Sequence, residues 1–178
     1  MVTIARMVAG TAVLAILFAS SIAFGQAITG RGTAQDGDDL VVNGTRIRLH
    51  GMDAFELDQT CKRADGTQWP CGQEAKRMLN ELVSNKVVRC DRVQATLSNG
   101  RPVMRCFVDQ MELNAEMVRR GLALDCPPFS NGRYKATEAQ AKADKEGAWT
   151  GTFTAPWVHK GKIYCCSPRH PREFCPLP

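Results

Sequence analysis

The stretch DGDDLVVNGTRIRLHGMDAFE, residues 36–56, decides how the rest of the chain is read. Val41-Val42-Asn43-Gly44-Thr45 spells strand, two-residue turn, strand. Asn-Gly suits a type I′ turn because both residues tolerate positive φ, and that turn matches the twist of the strands it joins. Folding back at Asn43-Gly44 puts Asp36 and Asp38 at the start of one strand. Arg48, Asp53 and Glu56 then follow along and just past the end of its partner. Acids from distant positions converge at one end of the hairpin. Clustered carboxylate oxygens suit a hard divalent cation such as calcium. A guanidinium among them suits a phosphate, which it grips bidentately. Asp36-Gly37-Asp38 taken alone reads as an ordinary surface turn. The combination is the signal.

On the N-terminal side, Arg6 precedes an uncharged apolar run, Met7 to Phe24, with small residues at Ala23, Gly25 and Ala27. A positive start, apolar middle and small-residue end form the pattern of an export signal, here residues 1–27, cut near Ala27. An uncleaved anchor is the alternative, because the run is nearly long enough to span a bilayer. All eight cysteines lie beyond it. An even number in an exported chain implies disulfides and a secreted or periplasmic location. The formal net charge of +5 permits attraction to nucleic acid without establishing it.

On the C-terminal side the elements follow in a readable order. A weakly written first strand, residues 30–35, precedes the acidic turn; strands 40–43 and 45–50 form the hairpin. An irregular loop, residues 57–70, is bordered by Cys61 and Cys71, which a disulfide would close. Ala75, Met78, Leu79, Leu82 and Val83 make one apolar stripe on a helix near residues 73–84, with Glu74, Lys76, Arg77 and Glu81 on its solvated face. Residues 87–92 and 101–108 read as a second antiparallel pair. Cys90 and Cys106 are roughly symmetric about its loop, which suits a second disulfide across the ladder; two buried free thiols are the alternative. Helices near 113–120 and 137–146 end at Gly121 and Gly147.

Five strands with a helix between the third and fourth exclude the alternating pattern of a parallel sheet. They are the order of an OB-fold, so the fold class is α+β, mainly β: a five-stranded barrel with three helices. Past Trp149 the composition changes. Five of the nine prolines and Cys165, Cys166 and Cys175 fall in residues 150–178, a tail expected to be fastened to the body by disulfides, with Cys126 as partner to one of the three. Cys165, Cys166, His170 and Cys175 also admit a zinc reading, at irregular spacing.

Asp36-Gly37-Asp38, Arg48 and Asp53-x-x-Glu56 together resemble the staphylococcal nuclease (thermonuclease) family, whose pattern is D-G-D-T followed by R-x-x-x-x-D-x-P-E. Asn99-Gly100-Arg101, residues 114–123 and residues 138–142 match further stretches in order, so the resemblance spans roughly residues 30–149. It implies the same barrel, over residues 28–149, and calcium-dependent hydrolysis of phosphodiester bonds in DNA and RNA; the chain is expected to be a monomer. Asp38, Asp53 and the Ala54 carbonyl match the calcium ligands. Glu56 matches the general base, and Arg48 and Arg101 match the arginines that hold the phosphate.

The chain departs from that pattern at several points. Asp39 stands for the threonine, Phe55 for the proline before the glutamate, and Asn99 for the tyrosine. Where the family has stacking tyrosines, residues 125–129 read DCPPF, which leaves Phe129 as the platform for a base. Reduced activity is therefore expected. The alternative function is a catalytically impaired module that binds nucleic acid or another extracellular polymer. Arg48 in a structural ion network, Arg101 as a turn residue and His50 as a packing histidine are the corresponding bland readings.

Overall fold

Asn43 and Gly44 both take positive φ, 48° and 76°, so the hairpin closes where the Asn-Gly pair requires it. The computed structural model describes residues 27–166, apart from the side chains of residues 94–97. The expected export signal, and His170 and Cys175 of the tail, lie outside these residues.

Strands β1 (Ile28–Asp36), β2 (Asp39–Val42) and β3 (Thr45–Leu49) run in succession, followed by the short β4 (Met52–Ala54). The loop expected to be irregular contains a small hairpin, β5 (Cys61–Arg63) and β6 (Gln68–Trp69). Then come α1 (Cys71–Val83), β7 (Val87–Ser98), β8 (Arg101–Val108) and β9 (Met111–Glu112). Next are α2 (Leu113–Arg119), β10 (Ala123–Asp125), a one-turn α3 (Pro127–Ser130) and α4 (Lys135–Ala143). β11 (Gly151–Thr152) and a second one-turn helix, α5 (Pro156–His159), complete the described chain. α1, α2 and α4 are the three helices that the periodicity predicts.

β1 pairs antiparallel with both β2 and β7, β2 with β3, and β7 with β8. The parallel pairing of β3 with β8 (Arg48↔Val103, Leu49↔Met104) closes the ring. These five strands are the barrel of an OB-fold. Closure removes free strand edges and gives the barrel an inside and an outside. Ile47 and Leu49 of β3 and Met104, Cys106 and Val108 of β8 are buried inward. By the two-residue period of a strand, Arg46, Arg48 and His50, together with Arg101, Val103 and Arg105, point to the other side. One outer wall is therefore basic.

α1 buries Ala75, Leu79, Leu82 and Val83 in the main core, as its stripe predicts. On its exposed face Arg77 pairs with Glu74 and Glu81, a solvated ion network that adds little stability. Asn114 of α2 is fully buried. Its Oδ1 accepts from Cys106 N at 3.0 Å, and its Nδ2 donates to the carbonyls of His50 (3.0 Å) and Met104 (3.3 Å). It thereby binds the end of β3 to β8.

Disulfides Cys61–Cys71 and Cys90–Cys106 form as read from the sequence, and Cys126 takes Cys165 as its partner. No described cysteine is free, and an oxidised Cys165 removes the thiolates that the zinc reading needs. The tail also contributes more core than its composition suggests. Trp157, Ala155 and Cys165 pack with Leu124 and Cys126 in a second buried cluster. No helix among the described residues is long and apolar enough to cross a membrane.

The Cys126–Cys165 bridge spans 39 residues. Replacing both cysteines with alanine is expected to cost about 2–4 kcal/mol, because the unfolded chain regains the freedom of a long loop. Urea unfolding under oxidising conditions, monitored by tryptophan fluorescence, measures the loss. An unchanged midpoint would show that Trp157 and its neighbours hold the tail without the bridge.

Candidate active site

The acidic turn is built by close backbone approach. A Cβ on Gly37 would stand 2.7 Å from Ala54 Cβ and 2.8 Å from Ala75 Cβ, so only glycine lets the turn rest on β4 and α1. Asp38 then accepts from Ala54 N at 3.3 Å (Oδ2), and its own carbonyl accepts from Leu49 N at 2.8 Å. One aspartate joins the start of β2, the end of β3 and β4.

Arg48 Nη2 lies 2.7 Å from Asp38 Oδ2 and 2.5 Å from Asp53 Oδ1. Both aspartates are buried, at 3% and 0% exposure. Burial pushes the Asp38 carboxyl up to about 7; Arg48 opposes the shift and the Asp53 charge adds to it. Burial also pushes Asp36 upward, only partly offset by its hydrogen bond from Gly37 N at 2.7 Å. For Arg48 burial disfavours the charge, but the Asp38 and Asp53 carboxylates outweigh it and hold the guanidinium ionised. This pocket is short of positive charge.

The tail supplies part of the remainder. Lys160 Nζ sits 3.0 Å from Asp53 Oδ1 and 2.6 Å from Glu56 Oε1, and Tyr164 Oη donates to Asp53 Oδ2 at 3.1 Å. Sequence reasoning missed both residues. The anticipated disulfide from Cys126 was a usable signal, because it fastens the segment beside Cys165 next to Phe129. With Asp36, Asp38, Arg48, Glu56 and Arg101, Lys160 and Tyr164 line one cleft of about 580 Å³. Asp53 does not line it and meets the cleft only through its partners.

Glu56 is aimed without the family's proline. Phe55 is fully buried and packs edge-on against Phe153, ring centroids 5.2 Å apart. Gln59, only 2% exposed, accepts from Glu56 N at 3.2 Å and donates to the Thr154 carbonyl at 2.6 Å. A buried aromatic anchor and an amide clamp thus do what a fixed φ would do. Gly72 is the third constraint. A Cβ there would lie 1.6 Å from the Glu56 carbonyl oxygen. Gly72→Ala is expected to destabilise by about 1–3 kcal/mol, as overpacking does, and to displace Glu56. Chemical unfolding measures the first effect; wild-type stability would show that the loop can yield.

Arg101 pairs with Asp39, which also binds Arg46 at 2.8 Å. The aspartate that replaces the family's threonine is therefore a counter-ion for the basic wall, with its Oδ1 buried and lacking a hydrogen bond. Asn99, at φ 50°, serves the turn before Arg101. His50 lines the cleft. Burial, aided by Arg105 and Arg133, lowers its pKa, and its Nδ1 is buried without a hydrogen bond. Phe129, 50% exposed, meets the Tyr164 ring edge-on at 6.4 Å. Arg119 and Arg120 both pair with Glu116, away from the cleft residues.

A family model described as staphylococcal nuclease homologue matches residues 46–151. The chain belongs to that family. The match includes Arg48, Asp53, Glu56 and Arg101; Asp36 and Asp38 precede it, and Lys160 and Tyr164 follow it. Among curated relatives, the succinoglycan biosynthesis protein ExoI of Rhizobium meliloti (strain 1021) is 28% identical over 79% of this chain and 74% of its own length. The probable endonuclease lcl3 of Botryotinia fuckeliana (strain B05.10) is 30% identical over 68% of this chain and 49% of its own. That of Sclerotinia sclerotiorum (strain ATCC 18683 / 1980 / Ss-1) is 29% identical over 70% and 49%. The chain spans about half the length of these two fungal relatives.

Among the described residues no three His, Cys, Asp or Glu side chains stand together as a ready metal-ligand set. The donor chemistry nevertheless fits a hard cation. Asp38 and Asp53 offer buried carboxylate oxygens, and the Lys160 ammonium already stands between Asp53 and Glu56 as a cation would.

Proposed function

We propose that this chain is an exported nuclease that hydrolyses phosphodiester bonds of DNA and RNA with calcium as its metal. The observation that carries the proposal is the Arg48 guanidinium lodged between Asp38 and Asp53, on the wall of a cleft that Glu56 and Arg101 share. Membership of a nuclease family supports the reaction class. Disulfides support an oxidising compartment.

Asp38, Asp53 and the Ala54 carbonyl would hold the calcium ion, which when bound polarises a phosphoryl oxygen and lowers the cost of deprotonating water. Arg48 and Arg101 grip the scissile phosphate and offset the charge that grows on its oxygens. Glu56 takes the proton from the attacking water as its oxygen bonds to phosphorus. The bond to the leaving oxygen breaks, and that oxygen takes a proton from solvent. Phe129 and Tyr164 offer stacking faces beside the cleft, and stacking contributes about 1–3 kcal/mol per base.

A second reading, a polymer-binding module with impaired catalysis, is favoured by one observation: Glu56 is already engaged by Lys160 at 2.6 Å. The relative named for succinoglycan biosynthesis is not named as a nuclease. Calcium removal separates the two readings. With plasmid DNA and total RNA, the nuclease reading predicts degradation in calcium and at least a hundredfold slower loss in excess chelator. Retention of intact nucleic acid on the protein, with no cleavage in either condition, would establish the binding module.

A further inference from the structure

Lys160 lies beyond the segment that matches the family, and the proposed hydrolysis does not use it. Its ammonium nevertheless donates to Asp53 and Glu56 together, so it holds the proposed general base and a proposed metal ligand at once. While it does so, Glu56 is hydrogen-bonded to a cation rather than to water.

The backbone that carries Lys160 is fixed on both sides. Trp157 of α5 is buried in the second cluster, and Cys165 is bonded to Cys126. Gln59 holds the Thr154 carbonyl, and His159 Nε2 lies 3.0 Å from Asp58 Oδ1. The Lys160 side chain is not fixed in that way. It remains 22% exposed and faces the cleft, so a change of rotamer moves Nζ without moving the strap. Lysine suits such a role: it is a compact charge on a flexible stem with rotatable donors. Arg48 bridges two carboxylates that are both buried, whereas one partner of Lys160, Glu56, is 25% exposed to water that can replace the ammonium, so Lys160 is the more readily released of the two.

The buried pocket also needs this charge. Asp53 is fully buried, and a buried carboxylate left without adequate positive charge is costly. Arg48 alone would face Asp38 and Asp53, with Glu56 beside them.

We propose that Lys160 is an internal counter-ion latch: it neutralises Asp53 and Glu56 when no divalent cation is bound, and a cation binds by expelling it from both carboxylates. The latch rests on the calcium reading of this site. Expelled, the ammonium stays on the cleft wall with Arg48 and Arg101, where an anionic substrate is its next partner. Cation binding thus frees Glu56 and adds positive charge to the cleft in one event.

The test is calorimetric titration of calcium into the full chain, comparing wild type with Lys160→Met, which keeps the stem and removes the charge. Removing the competitor is expected to tighten calcium binding about tenfold or more, the weight of a charge-assisted hydrogen bond. In a thermal melt the variant is expected to unfold below wild type without calcium and to recover with saturating calcium. Lys160→Gln, which retains a donor, serves if the methionine variant does not fold, with the same expectation. Equal or weaker calcium binding by the variants, with wild type binding well, overturns the latch and leaves the calcium reading intact. Absence of calcium binding in all of them overturns both.

Discussion

Replacing Arg48 with alanine is expected to lower stability by about 3–5 kcal/mol and the rate of phosphodiester cleavage by roughly 10²–10³-fold. The stability loss follows from burial. Asp38 and Asp53 have almost no exposed surface, and Arg48 is the cation they share. Alanine leaves two buried carboxylates facing each other, with Lys160 touching only one of them. The rate loss follows from the other role proposed for the guanidinium, as a donor that grips the transferring phosphate. Arg48→Lys separates the two, because it keeps the charge but not the planar fork. It is expected to recover much of the stability and little of the rate. Urea unfolding and initial rates on a single-stranded oligonucleotide give both quantities. A fully active, fully stable alanine variant would make Arg48 a bystander.

Glu56→Gln is expected to reduce the cleavage rate by about 10²–10⁴-fold while changing stability by less than about 1 kcal/mol. Glutamine has nearly the same shape and still bonds Lys160, but it does not take a proton from water. The Glu56 side chain is 25% exposed, so loss of its charge leaves no deeply buried group unpaired. The backbone of Glu56 is held by Gln59 and by the packing of Gly72, neither of which the substitution touches. Circular dichroism and unfolding check the second half of the expectation. A stable variant with the wild-type rate would assign proton removal to another group.

Most of the barrel was legible because its determinants are local. Asn43-Gly44 fixes a turn, alternation along Thr45–Leu49 fixes which side chains face inward, and the stripe from Ala75 to Val83 fixes the face that α1 buries. Of the described disulfides, Cys90–Cys106 follows from symmetry about a loop and Cys61–Cys71 from the loop it closes. The clustering of Asp38, Arg48 and Asp53 was also legible, because a hairpin of known register brings its ends together. The tail was not. Lys160 and Tyr164 reach Asp53 across more than a hundred residues of sequence, and no periodicity encodes such a contact. Gln59 was missed for a similar reason, since its value lies in an amide that bridges two loops. Phe55 was read as a loss. Its burial against Phe153 replaces the proline's restraint with packing, which a motif comparison does not register.

The asymmetry has a physical basis. Strand registers and helix faces are set by near neighbours and a common core, whereas the charge balance of a buried site depends on every group that folds over it. The basic and acidic side chains of residues 36–56 read as a set for a phosphate and a metal, with no sign of the charge that folds over them. The tail completes their charge balance from outside the matched family segment.

The most direct measurement is the cleavage of one end-labelled single-stranded DNA oligonucleotide in calcium, followed side by side for wild type, Arg48→Ala and Glu56→Gln. Shortened products are expected from wild type and an intact substrate from both variants over the same time. An intact oligonucleotide with wild type at saturating calcium, or equal cleavage by all three proteins, would contradict the assignment of this cleft as a phosphodiesterase site.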